Sequence, residues 1–213
     1  MPPRDEEATT AFSKETARIE AFSDGVFAIA ITLLILDIKV PHPSQSGVGL
    51  GTLLLRQWPS YVAFLASFAT IGIMWINHHR LFTLIVQSSH TLLLLNSVLL
   101  LGVVVVPFPT ALVAEYFGHK GEHLAAMVFS ATFLFIAVVF NVLWRYAVKH
   151  VLGHNAKLPE VREISKQYRF GPLFYVFCLL IAPFSVGATI GISLALVVFF
   201  ALPRVPVRRR SRA

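Results

Sequence analysis

Five long apolar runs, the last long enough to fold back on itself, fix the class of this chain before any single residue is weighed. A helix needs about 20 apolar residues, at about 1.5 Å each, to cross the hydrocarbon core of a bilayer. The runs predict an all-α integral membrane protein with six spans, at roughly 22–40, 59–78, 91–113, 123–147, 169–184 and 187–203. Composition agrees: only 14% of the 213 residues are charged, against about 25% in a soluble domain. Trp58-Pro59 opens the second span with proline in the first turn, where its missing N–H costs nothing. Pro107 and Pro109 fall late in the third and are expected to kink it or end it early. Pro183, Ser185 and Gly187 are the breakers of the last apolar block, which reads as a tight hairpin of two short helices. The first run is too long for the h-region of a signal peptide and lacks an A-x-A-like cleavage site. The single cysteine, Cys178, leaves no intramolecular disulfide.

With six spans both termini lie on one side, and charge decides which. Fifteen basic residues fall on that side, from Arg4, Lys14 and Arg18 to Arg208, Arg209, Arg210 and Arg212, against Lys39, Arg56 and Lys120 on the other. By the positive-inside rule both termini are cytoplasmic. The net charge of +7 is thereby explained by topology and calls for no nucleic acid; the arginine-rich tail reads as an anchor on anionic membrane lipid. Residues 1–14 are expected to be a disordered cytoplasmic N-terminus, 15–203 the six-helix domain and 204–213 a basic cytoplasmic tail. Residues 149–168 form a polar, basic connection, in part helical and too small for a domain.

The first span carries a carboxylate, Asp24, near its start, and Asp37 near its far end. Charged groups at membrane depth are costly and persist where they are paired or do work. At 3.6 residues per turn, Phe22, Val26, Ile29, Leu33, Leu36 and Val40 share one stripe, with Thr32 at its margin. Small residues (Ser23, Gly25, Ala28, Ala30) allow close packing on other faces. One reading is a helix packed against its neighbours. The other is a pore wall, in which rings of Ile and Leu form a dewetting constriction. A single helix encloses nothing, so a pore requires several copies about an axis.

The second span ends Trp75-Ile76-Asn77-His78-His79-Arg80, at the depth of Arg18, Ser23 and Asp24; the third starts with His90, and Asn96 lies a turn or two deeper. Acid, base and amide groups from three helices are expected to meet, with Asp24 paired to Arg18 or to the His78–Arg80 segment. Such a network could orient the first helix, or gate and sense protons through histidine. A metal site is disfavoured, since His78 and His79 point apart and His119 and His123 lack accompanying cysteines. No nucleophile elbow, P-loop or dinucleotide fingerprint is present, so no enzymatic chemistry is indicated.

The run Arg18-x-x-x-Phe22-Ser23-Asp24-Gly25, continued by Ala28-Ile29-Ala30-Ile31-Thr32-Leu33-Leu34-Ile35-Leu36, resembles the start of the first helix in the transmembrane protein 175 family. Trp75 to Phe82 is similar to that family's second-helix ending. The family comprises a lysosomal potassium channel and its bacterial relatives, without the filter loop of ordinary potassium channels. The resemblance implies a pore lined by first helices, with constriction positions at Ile29, Thr32, Leu33 and Leu36. It also implies a supporting network at Arg18, Phe22, Ser23, Asp24, Trp75, Asn77, His78, His79 and Arg80. One six-helix repeat implies a homotetramer in a plasma membrane, passing potassium ions passively and needing no cofactor. Asp37, one residue past Leu36, is placed at the pore entrance, where four copies would gather cations; a local pair with Lys39 is the alternative. The competing functions are a proton-coupled small-solute transporter, for which inverted repeats are not evident, and a less selective cation or proton channel.

Overall fold

In the computed structural model of the protein, residues 4–42, 47–85 and 87–201 are described, with side chains from Glu15 onward apart from residue 160. The described residues form helices and their connections, without a strand. Four stretches are long and apolar enough to cross a membrane: Glu15–Asp37, Trp58–Phe82, His90–Tyr116 and Glu122–His150.

Helix α1 runs Arg4–Leu33 and therefore starts inside the segment expected to be disordered. The reason is local. No proline or glycine falls between Pro3 and Gly25, and Glu, Ala, Lys and Arg are frequent there, so helix propensity is uninterrupted. At its far end the helix stops sooner than the hydrophobicity suggests. It tightens into a 3-10 turn at Leu34–Asp37, and Ile38 is already extended, which leaves Val40 off the helical stripe. The basic tail 204–213 lies outside the described residues.

A short helix α2 (Leu50–Arg56), not foreseen from the sequence, leads into α3 (Trp58–Phe82), with Pro59 in its first turn. Helix α4 (His90–Val105) is capped by Ser89, whose Oγ accepts from the Leu92 N–H. The expected kink is a break at Val106, after which α5 (Pro107–Tyr116) completes the third stretch. Thr110 secures that break. Its hydroxyl donates to the Val106 carbonyl at 2.8 Å and lies 2.7 Å from Ser67 Oγ on α3. Helix α6 (Glu122–His150) is the central pillar, with Phe129, Phe133, Ile136 and Leu143 fully buried. Gly102 of α4 lies so close to it that a Cβ there would stand 2.7 Å from Ile136 Cγ1. The polar connection holds α7 (Pro159–Arg169), and the last apolar block divides into α8 (Gly171–Ile181) and α9 (Val186–Ala201) around Pro183. These two are shorter than the four long stretches, at 11 and 16 residues.

Helix α1 stands to one side of this assembly, packed on α3 and α4. That lateral position leaves one of its faces without a neighbour.

Candidate functional site: the first helix and its polar support

The two faces of α1 differ sharply. Ser23, Phe27, Ala30 and Leu34 follow the i, i+4, i+7, i+11 spacing of one helical face and are all at most 2% exposed. On the opposite face, Phe22 is 66%, Ile29 60%, Leu33 41% and Leu36 63% exposed. Gly25, Ala28 and Thr32 share the exposed side. The Thr32 hydroxyl donates to the Ile29 carbonyl at 2.9 Å, which leaves its oxygen free to accept on that face. The single subunit thus buries one side of α1 by ordinary packing and leaves the Ile29–Leu33–Leu36 side for something outside itself.

The polar residues expected to meet do so in a directed chain. His78 Nε2 lies 2.9 Å from Asn96 Oδ1, Asn96 Nδ2 donates to Ser23 Oγ at 2.9 Å, and Ser23 Oγ donates to the Ile19 carbonyl at 2.8 Å. Because the Asn96 amide nitrogen is used on Ser23, its oxygen must accept. His78 is therefore assigned the tautomer with the proton on Nε2. His78 Nδ1 is then a bare lone pair, and it is buried without a hydrogen-bond partner among the described residues. His78 itself is fully buried, stacked on Phe82 and tilted against Phe27, so packing from α1 and α3 fixes the ring. One chain of hydrogen bonds joins α3, α4 and α1.

A second row lies beside it. Trp75 Nε1 donates to Asp24 Oδ1 at 2.8 Å, and His79 Nδ1 lies 2.7 Å from Glu20 Oε1. The hydrogen bond that Asp24 accepts comes from the Trp75 indole, a donor outside the expected Arg18 and His78–Arg80 set, while its charge also acts on His78. Trp75 and His79 are one turn apart on α3, as Glu20 and Asp24 are on α1. Antiparallel helices bring the first of each pair to the second of the other. Glu20 was absent from the sequence-derived network, although its i, i+4 relation to Asp24 is visible in the chain. Asn77 is buried, Arg80 half-buried, and Arg18 and His90 are exposed.

At the other end, Asp37 is half-buried. Its Oδ2 is shielded from solvent and has no hydrogen-bond partner among the described residues. Lys39 Nζ donates to the Leu36 carbonyl at 3.2 Å, and its charge acts on Asp37 without a hydrogen bond between the two. Among the described residues no group of three or more His, Cys, Asp or Glu could hold a metal ion.

An all-helical membrane protein whose first helix is clamped by a polar network on one side and unpartnered on the other is the class that these features define. The family described as endosomal/lysosomal potassium channel TMEM175 matches residues 18–107, the span that contains both. Potassium channel Cha6605_3372 of Chamaesiphon minutus is 51% identical over 191 residues, covering 88% of this chain and 94% of that protein. The crystal structure of a lysosomal potassium-selective channel TMEM175 homologue from the same organism matches with a TM-score of 0.81 at 50% identity, over 88% of this chain and 97% of that one. The endosomal/lysosomal proton channel TMEM175 of Gallus gallus is 38% identical over 166 residues, which is 74% of this chain but 32% of that longer protein. The chain belongs to the TMEM175 family.

Proposed function

We propose that the chain is a potassium channel, assembled as a homotetramer with the exposed faces of four α1 helices lining a central passage. One observation carries this reading: Ile29, Leu33 and Leu36, apolar and aligned, are left without partners in the subunit while the opposite face of the same helix is fully packed. The names of the bacterial relative and of the solved homologue support potassium as the permeant ion. On this reading α8 and α9 are the fifth and sixth spans, and both termini face the cytoplasm from a plasma membrane, as the distribution of basic residues favours. Rings at Ile29, Leu33 and Leu36 close the passage to water by dewetting, with the Thr32 oxygens as polar acceptors between them. Conduction is passive and uses potassium as the permeant species, without a cofactor or a catalytic step.

A second reading, proton conduction by the same pathway, is favoured by the name of the animal relative. Reversal potentials of the purified protein in liposomes separate the two. Under opposed potassium, sodium and proton gradients, the reversal potential should follow potassium. Replacing Ile29 by Asn should ease wetting of the passage and change both flux and ion preference. Parent and Ile29→Asn channels with equal flux and equal preference would remove Ile29 from the pathway.

A further inference from the structure

The surface formed by α7, α8 and α9 combines two features that the passage does not use. On α7, Val161, Ile164, Gln167 and Tyr168 are buried. They are held against the long helices by Asn141 Nδ2 donating to the Tyr168 carbonyl at 2.7 Å and Trp144 Nε1 donating to Ser165 Oγ at 2.9 Å. The opposite stripe of α7 presents Arg162, Lys166 and Arg169, all exposed and spaced by four and three residues along one face. Lys166 is paired to Glu163 at 2.7 Å. Arg169 lies over the exposed Phe170 ring, its guanidinium carbon 5.5 Å from the centroid. One turn further on, Leu173 begins a groove of about 640 Å³ between α8 and α9, lined entirely by apolar side chains that include Phe174, Phe177, Leu180, Ala195 and Phe199. Gln167 Nε2 donates to the Phe199 carbonyl at 3.2 Å and so joins the basic helix to the groove wall.

The geometry points to a binding site for one anionic glycerophospholipid, with its phosphate at Arg162 and Arg169 and an acyl chain along the α8–α9 groove. The order of chemistry along the surface carries the assignment. The basic stripe ends at Arg169, and the open apolar groove begins one turn further along the chain at Leu173. Charge complementarity selects the headgroup: basic clusters just outside a span attract anionic lipid by about 1 kcal/mol per residue, about fivefold in affinity. The groove selects a molecule with a chain, since a soluble phosphate would use none of it. No groove residue belongs to α1, so the site lies apart from the exposed stripe of that helix. The side of the membrane assigned to it, the cytoplasmic leaflet, rests on the orientation proposed above.

Native mass spectrometry of the intact assembly in detergent tests the site, with dioleoylphosphatidylglycerol, dioleoylphosphatidylcholine and oleate titrated separately. Phosphatidylglycerol should be retained in preference to phosphatidylcholine, and the double variant Arg162→Gln/Arg169→Gln should lose about 25-fold in its retention. Ala195→Phe, which fills the groove and leaves the charges in place, should weaken the same adduct. Equal retention of the two phospholipids, an unchanged double variant or an unchanged Ala195→Phe variant would each overturn the proposal. Oleate retained as strongly as phosphatidylglycerol would assign the site to a free carboxylate and overturn the phospholipid. Potassium flux in liposomes, read separately, keeps a failure of this site distinct from a failure of the channel reading.

Discussion

Asn96 is the link on which the placement of α1 turns, and replacing it by leucine isolates what that link contributes. The side chain is 3% exposed and bonded on both ends, to His78 and to Ser23. Leucine keeps the branched shape, is somewhat larger, and removes both bonds. Between membrane helices each such bond contributes about 0.6–1.7 kcal/mol, because the separated helices also find partners. Two bonds therefore amount to about 1–3 kcal/mol. The share falling on His78 is the larger, since its Nε2–H would be stranded in a packed site, whereas Ser23 keeps its bond to the Ile19 carbonyl. The expected result is a fall in the thermal midpoint of the detergent-purified assembly, read by fluorescence-detected gel filtration, together with altered flux as α1 loses its rotational constraint. Ser23→Ala should cost less alone. Added to Asn96→Leu it should cost less than it does alone, because the bond between Ser23 and Asn96 has already gone and only the bond to the Ile19 carbonyl remains to be lost. An Asn96→Leu variant with the parent's midpoint, or full additivity of the two changes, would refute the chain of bonds as the support of α1.

Toward the N-terminal end of the first span, Asp24→Asn keeps an acceptor for the Trp75 indole and should assemble normally, whereas Asp24→Leu strands the indole N–H and should lower the yield of assembled protein; equal yields would show that the bond is dispensable. Asp37→Asn should reduce single-channel conductance more at 0.01 M salt than at 1 M, because the screening length falls from about 30 Å to about 3 Å. Equal conductance at low salt would remove Asp37 from the entrance. Gly102→Ala should destabilise by about 1–3 kcal/mol through overpacking against Ile136 Cγ1, and the same change should cost less when made in an Ile136→Ala background, which lacks that atom. A Gly102→Ala protein as stable as the parent would mean that α4 and α6 separate without cost.

The long apolar stretches were legible because a bilayer imposes length and hydrophobicity directly on sequence. The Ile29–Leu33–Leu36 alignment was legible because helical periodicity is a property of the chain itself. Three features were not. The extension of α1 back to Arg4 was masked by polarity, which reads as disorder even where propensity favours helix. The amphipathic α7 was half-legible: Val161, Ile164 and Tyr168 carry the period, but the partners that bury them, Asn141 and Trp144, lie on another helix. The pairing of Asp24 with Trp75 was misjudged because charge was given priority over reach. Which donor meets a carboxylate is set by the axial register of two antiparallel helices, and Glu20 opposite His79 records the same register one turn away.

The 3-10 turn that ends the first span alters how its leucines stand. In a continued α-helix, three residues turn through about 300°, which would leave Leu33 and Leu36 about 60° apart around the axis. With about three residues per turn and about 2 Å of rise, side chains at i and i+3 eclipse instead. Ideal 3-10 geometry sets Leu36 close to directly above Leu33, about 6 Å higher. The two form one upright column the height of about two water molecules, not two ledges on a spiral. If four such helices line the proposed passage, a hydrated ion would meet no sideways step between the two leucines at which to keep a partner, and the barrier would be a single tall one and not two short ones in series.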